Sequence, residues 1–172
     1  MQASVDLNAD MGEGFGPWPM GADDALLEVV SSANIACGFH GGDPYTIEKT
    51  IDLALENDIA IGAHPSYPDL VGFGRRYISI PADELSSIIK YQVSALKSLV
   101  ESKGATLSHV KPHGALYNRM ASDSVEAAVV INAVQEIDTV LPVMILAESN
   151  AQKFFGNLGK KAGQFEKEQT KQ

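Results

Sequence analysis

The stretch SVDLNADMGEG, residues 4–14, alternates Asp6, Asn8 and Asp10 with Val5, Leu7 and Ala9. In a strand, successive side chains point to opposite faces, so the polar residues form one row and their apolar neighbours the other. A second stretch, SHVKPH at 108–113, repeats the pattern with His109, Lys111 and His113 against Val110 and Pro112. Parallel strands covered by helices on both faces read as near-continuous apolar runs, whereas a barrel turns one face toward a lumen that tolerates polar groups. The pattern predicts an α/β fold of the incomplete (β/α) barrel type rather than an open three-layer sandwich.

Outward from these stretches, strands alternate with helices. The first strand covers roughly residues 3–10; a glycine-rich loop and a helix through ADDALLEVVSSA (22–33) follow, with Asp23 placed to cap the helix. ANIACGF (33–39) reads as the second strand. In YTIEKTIDLALEND (45–58), Ile47, Ile51, Ala54 and Leu55 share one helical face. IAIGAH (59–64) is the third strand, and the connection PSYPDLVGFGRRYISI (65–80) is long enough to predict a lid or binding loop. Pro81 opens the longest helix, to about Lys103, with Leu85, Ile88, Ile89, Leu96 and Val100 as its buried stripe and Gly104 as its stop. TLSHVKPH (106–113) is the fourth strand. A helix capped near Ser122 turns Val125, Val129, Ala133 and Val134 inward; PVMILA (142–147) is the fifth strand, and SNAQKFFGNLG (149–159) begins a last helix. Five βα units running one way imply a parallel sheet with right-handed crossovers. A closed eight-stranded barrel needs about 250 residues, so the chain supplies too few strands for one.

With 172 residues, 45% of them hydrophobic, the chain can bury a core as one domain. Its 13 basic and 22 acidic residues give a net charge of −9, which repels phosphate backbones and anionic lipid surfaces. Neither nucleic acid nor a membrane is an expected partner. The amino-terminal MQASVDLNAD has no basic stretch leading into an apolar run, and no segment approaches the roughly twenty apolar residues that span a bilayer. A cytoplasmic location is expected, and the single Cys37, which excludes an internal disulfide, fits a reducing compartment and a packing role.

Of the four histidines, His40, His64 and His113 stand where a strand gives way to a loop, and the first strand ends the same way on Asp10 and Glu13. Side chains at the carboxyl ends of successive parallel strands converge on one mouth, so these residues are the candidate site. Two chemistries stay open. Asp10, His64 and His113 can hold a divalent metal with positions left for water and substrate, although no H-E-x-x-H spacing marks such a site. Without a metal, Asp10 or Glu13 serves as general base and His40 or His113 as acid. Asn8, Arg75, Lys111 and Tyr117 are the candidate substrate-binding residues: Arg75, beside Arg76, suits a carboxylate or phosphate, and Lys111 in the lumen must meet Asp6, Asp10 or an anionic substrate. His109, deeper in its strand, is expected to be structural, as is Asp6. The glycines of HGGDP (40–44) and MGEGFG (11–16) predict tight turns and close backbone approach to a ligand. The phosphate-cradling G-x-x-x-x-G-K-[ST] motif is absent, and GNLGKKAG (156–163) is only a near miss.

Four motifs carry a resemblance. DLNADMGEGFG (6–16), SANIACGFHGGDP (32–44), GAHPSYPDLVGFGRR (62–76) and HVKPHGALYN (109–118) closely resemble the LamB/YcsF family, in the family's order, with a looser likeness to about residue 158. The resemblance implies a (β/α) barrel related to the metal-dependent sugar and amide deacetylases. It implies a hydrolase acting on a cyclic amide: the A subunit of an ATP-dependent 5-oxoprolinase, which opens the lactam of 5-oxo-L-proline to L-glutamate with ATP as co-substrate and works with subunits B and C. It also favours Arg75 for anion binding, because GFGRR lies in the third motif. The family continues through a further segment and closing strands, so the expected organisation is a partial barrel over 1–158 and a polar tail over 159–172. Two other readings accompany it: a metal-dependent amidase or deacetylase acting on a small amide or sugar, and a truncated, non-catalytic binding module.

Overall fold

The computed structural model of the chain describes residues 5–21, 23–157 and 167–168. Four parallel strands, β1 (Asn8–Met11), β2 (Ser32–Ala36), β3 (Ala60–His64) and β4 (His109–Val110), lie side by side in chain order. A doubly wound sheet reverses its order at a switch point, whereas consecutive strands of a barrel do not. The connections carry α1 (Asp23–Leu27), α2 (Pro44–Glu56) and α3 (Ala82–Ser102), and α4 (Gly114–Ser122), α5 (Ser124–Ile137) and α6 (Asn150–Asn157) follow.

The register explains the two faces. Asp10 pairs with Asn34, Asn34 with Gly62, and Gly62 with His109, so these four positions form one crosswise row. The alternate residues Ala33, Ile35, Ile61, Ala63 and Val110 are buried in the core with Ile47 and Ile51 of α2 and Leu85, Ile89 and Val93 of α3. Two helix ends were written in the sequence. Asp43 caps α2 by accepting from the amides of Tyr45 and Thr46, with Pro44 in the first turn. Gly104, at φ +79°, turns the chain out of α3.

The structure shifts several expected boundaries. β1 is shorter than the alternating stretch, and Ala3 and Ser4 lie outside the described residues. Asp23 begins α1, and its carboxylate accepts the Gly12 amide at 2.9 Å. In α3, Gln92 and Val93 point inward while Ile88 is half-buried. The run after His113 is helical at once: Gly114, at φ +52°, lets the strand end turn directly into α4, and Asp123 rather than Ser122 caps the next helix, α5. In α5, Ala127, Val130 and Ile131 join Ala133 and Val134 inside, Val129 is half-buried, and Val125 is 73% exposed.

The fifth strand differs most. Pro142 has no N–H, and the run meets β4 through one bridge, Val110 with Val143, made by Val110 N donating to Pro142 O and Met144 N donating to Val110 O. Its next residues form β5 (Ile145–Leu146), which pairs with β6 (Lys167–Glu168). The rest of the expected tail lies outside the described residues.

Candidate functional site

Every strand end of the sheet contributes to one buried cluster. Among the described residues, Glu13, His40, His64 and His113 each present one donor atom, and these atoms lie within 4.8 Å of one another. Glu13 Oε1 is 3.2 Å from His40 Nε2, 3.5 Å from His113 Nδ1 and 4.0 Å from His64 Nε2. His113 Nδ1 is 2.9 Å from His64 Nε2, and the rings of His40 and His113 stack at 3.8 Å and 3°. Such a cluster can hold a metal ion.

Local sequence brings these groups together. Glu13 follows β1, His40 follows β2, His64 ends β3 and His113 follows β4. The expected close approach of the glycines is to protein backbone: a Cβ at Gly41 would sit 2.6 Å from Glu13 O, and one at Gly42 would sit 2.7 Å from Gly12 O. The loop after β2 thus presses against the loop after β1, which places Glu13 over His40.

Asp10 flanks the four donors instead of standing among them. Its Oδ2 lies 3.2 Å from His64 Nε2, and its Oδ1 accepts from Lys111 Nζ at 2.9 Å and from Asn34 Nδ2 at 2.9 Å. Burial opposes its ionisation, but the hydrogen bond and charge of a protonated His64, together with Lys111, outweigh that and hold its carboxyl well below the usual range. Burial disfavours the charged imidazolium of His40 and His113. His40 is lowered, and His113 is lowered to about 3 by burial and by its histidine neighbours.

The remaining candidates occupy distinct levels. Asn8 lies one step deeper and accepts from Asn34 Nδ2 at 2.8 Å. Lys111 Nζ lies 5.9 Å from the centre of the Tyr117 ring at the mouth. Arg75 is exposed at the rim with its guanidinium 5.6 Å above Phe73, while Arg76 is tied to Asp69. Asp6 accepts from the hydroxyls of Ser31 and Ser32. Cys37 packs with its thiol near Ile35 O, and burial pushes the thiol up to about 12. A cleft of about 510 Å³ lined by Phe15, Trp18, Met20, Tyr45, Lys49 and Leu53 adjoins the glycine-rich loop, and none of the four clustered residues lines it.

Sequence reading missed three participants. Asn34 is fully buried in a strand that reads as an apolar run, and its one polar letter was the available signal. Ser66 and the carbonyl of Phe73 contact His40 and His113 from the long loop after β3. That loop is fixed by Asp69, which accepts from Gly72 N and Arg76, and by buried Gln92, which pairs with both the amide and the carbonyl of Ser66.

His109 has the structural place expected of it. Its Nε2–H donates to Asn34 Oδ1 at 2.7 Å, and its Nδ1 lies 2.6 Å from the Ser108 hydroxyl. Burial lowers it from 6.5 to about 4. The unfolded chain therefore binds the proton first, and the stability held above pH 6.5 is lost as pH falls toward 4, by about 3 kcal/mol for this residue. Urea unfolding at pH 7, 5.5 and 4 should show the wild type losing more stability than His109→Gln; parallel losses would remove His109 as the source.

A family model described as the LamB/YcsF family matches residues 5–165. A protein named as the A subunit of 5-oxoprolinase, from Vibrio cholerae serotype O1, is 55% identical over 151 residues, covering 88% of this chain and 61% of that protein. Another of that name, from Acinetobacter baumannii, is 56% identical over 146 residues, covering 85% and 58%. The crystal structure of a lactam utilization protein from Thermus thermophilus superposes with a TM-score of 0.88 at 42% identity, over 91% of this chain and 64% of that one. A putative cellobiose-phosphate cleavage protein from Enterococcus faecalis, at TM-score 0.57 and 18% identity, shares the fold alone. The chain spans about six tenths of the length of these curated relatives.

Proposed function

This chain belongs to the LamB/YcsF family, and from that premise we propose that it carries the lactam-opening site of an ATP-dependent 5-oxoprolinase, as the A subunit of a cytoplasmic complex with subunits B and C. The carrying observation is the convergence of Asp10, Glu13, His40, His64 and His113 at the strand ends of a chain 55% identical to proteins of that name. No helix among the described residues is long and apolar enough to cross a membrane.

Ring opening adds water to the lactam carbonyl, breaks the carbon–nitrogen bond and returns a proton to the nitrogen, yielding the amine and carboxylate of L-glutamate. Asp10 is the exposed edge of the cluster, with 35% of its side chain accessible, and it receives the proton of the attacking water. A divalent cation held by the histidine–glutamate cluster would polarise the carbonyl and acidify that water, which suits a carboxylate as weakly basic as Asp10. With the cation held by the ring nitrogens, Asp10 returns the proton it received to the leaving nitrogen; without a cation, His113 or His40, neutral because they are buried, would pass that proton instead. Lys111 and Arg75 supply positive charge for the substrate carboxylate, and Asn8 and Tyr117 bound it below and above. ATP makes the uphill opening favourable, by phosphoryl transfer at this site or at a contact with the other subunits.

The test is reconstitution. The chain alone should release little glutamate from 5-oxo-L-proline, and adding subunits B and C should give release that depends on ATP. Strong release without nucleotide would redirect the assignment to a simple amidase.

A further inference from the structure

The buried ring nitrogens fix their own tautomers. His113 Nε2 lies 2.9 Å from the carbonyl of Phe73, and His64 Nδ1 faces the carbonyl of Lys111; a carbonyl only accepts, so both nitrogens carry hydrogen. Ser66 Oγ donates to Tyr67 O, so it must accept from His40 Nδ1–H at 2.9 Å. The opposite nitrogens, His40 Nε2, His64 Nε2 and His113 Nδ1, therefore turn bare lone pairs toward one another and toward Glu13 Oε1.

Lone pairs do not face each other at 2.9 Å, nor a carboxylate oxygen at 3.2 Å, without positive charge between them. A single proton on His64 serves His113 or Asp10 and leaves His40 opposed to Glu13. Two protons or one doubly charged ion would satisfy the set. Each ligand ring is also held from behind by an acceptor, the arrangement that orients histidines on metals.

We propose that His40, His64, His113 and Glu13 bind one divalent transition ion of the zinc class, and that Ser66 and the Phe73 carbonyl act as positioning groups that select the coordinating nitrogens. Three imidazoles and one carboxylate suit zinc, cobalt, nickel or ferrous iron, while magnesium prefers an all-oxygen shell. This rests on the site reading above and names its cofactor class.

The metal-free chain, dialysed against zinc, cobalt or magnesium chloride, should take up one zinc or cobalt ion with at least about 100-fold preference over magnesium. Bound cobalt(II) should give a visible absorption spectrum that is absent from His64→Ala. Ser66→Ala should weaken zinc binding about 10- to 100-fold in a metal-free chain that still unfolds in one cooperative step, and Ser66→Thr, which keeps the hydroxyl, should restore the affinity. No stoichiometric uptake, uptake that survives His64→Ala, equal affinity for magnesium, or zinc affinity unmoved by Ser66→Ala would each overturn the proposal. Zinc uptake without glutamate release by the reconstituted complex would sink the hydrolase reading alone, and glutamate release by a chain that binds no zinc would sink the cation alone.

Discussion

Asp10→Asn should lower ATP-dependent glutamate release by the reconstituted complex by about 10²-fold or more, the usual scale for losing a positioned proton acceptor. The substitution is nearly isosteric and keeps an oxygen that can accept from Asn34, so it tests the charge rather than the shape. Its side effect is on Lys111, whose ammonium is 2.9 Å from Asp10 Oδ1 and largely buried. Leaving that cation short of its carboxylate costs stability. The double variant Asp10→Asn, Lys111→Met separates the two effects when compared with Lys111→Met alone, whose own loss falls on substrate binding: stability should return while kcat stays about 10²-fold below that single variant. If the double variant instead matches the kcat of Lys111→Met, Asp10 is a structural counter-ion and the proton goes elsewhere.

The second large effect belongs to Gly62. It lies between Asn34 and His109 in the crosswise row, and the His109 ring occupies the space a side chain there would need. A Cβ at Gly62 would stand 2.1 Å from His109 Nε2 and 2.4 Å from two ring carbons. Gly62→Ala should therefore cost at least about 3 kcal/mol, the upper range for overpacking a filled interior, and Gly62→Val should prevent folding. The cycle with His109→Ala isolates the cause. In the His109→Ala background the added methyl has room, so Gly62→Ala should there be close to neutral in a urea titration, a coupling of the size found between touching residues. An equal cost in both backgrounds would place the strain in the backbone rather than in the ring.

These effects also show which parts of the fold were legible. The alternation of Asp6, Asn8, Asp10 and of His109, Lys111, His113 announced a polar face, because side-chain direction in a strand follows from position alone. Glu13, His40, His64 and His113 were readable as strand-end residues, since parallel strands deliver their carboxyl ends to the same side. Asn34 was hidden because one amide among six apolar letters does not disturb a hydrophobic run, and only the register set it between Asp10 and Gly62. The Phe73 carbonyl could not be seen, since a main-chain oxygen has the same letter wherever it points. The start of α4 was missed for a related reason: Gly114 reads as a breaker, and the helix needed its positive φ, which tertiary contact decides. The short fifth strand reflects Pro142, whose missing N–H limits its ladder.

The in-phase row through Asp10, Asn34, Gly62 and His109 also bears on how the chain settles its alignment. A slip of one residue in any of these strands would rotate an amide, an imidazole or a carboxylate into the oily layer beneath the helices and send an isoleucine or alanine into the lumen. Misaligned pairing would thus bury the polar groups of the row without partners, a cost that favours the native register. Variants that simplify the lumen to alanine should accumulate misaligned, aggregation-prone species even where every helix contact is kept.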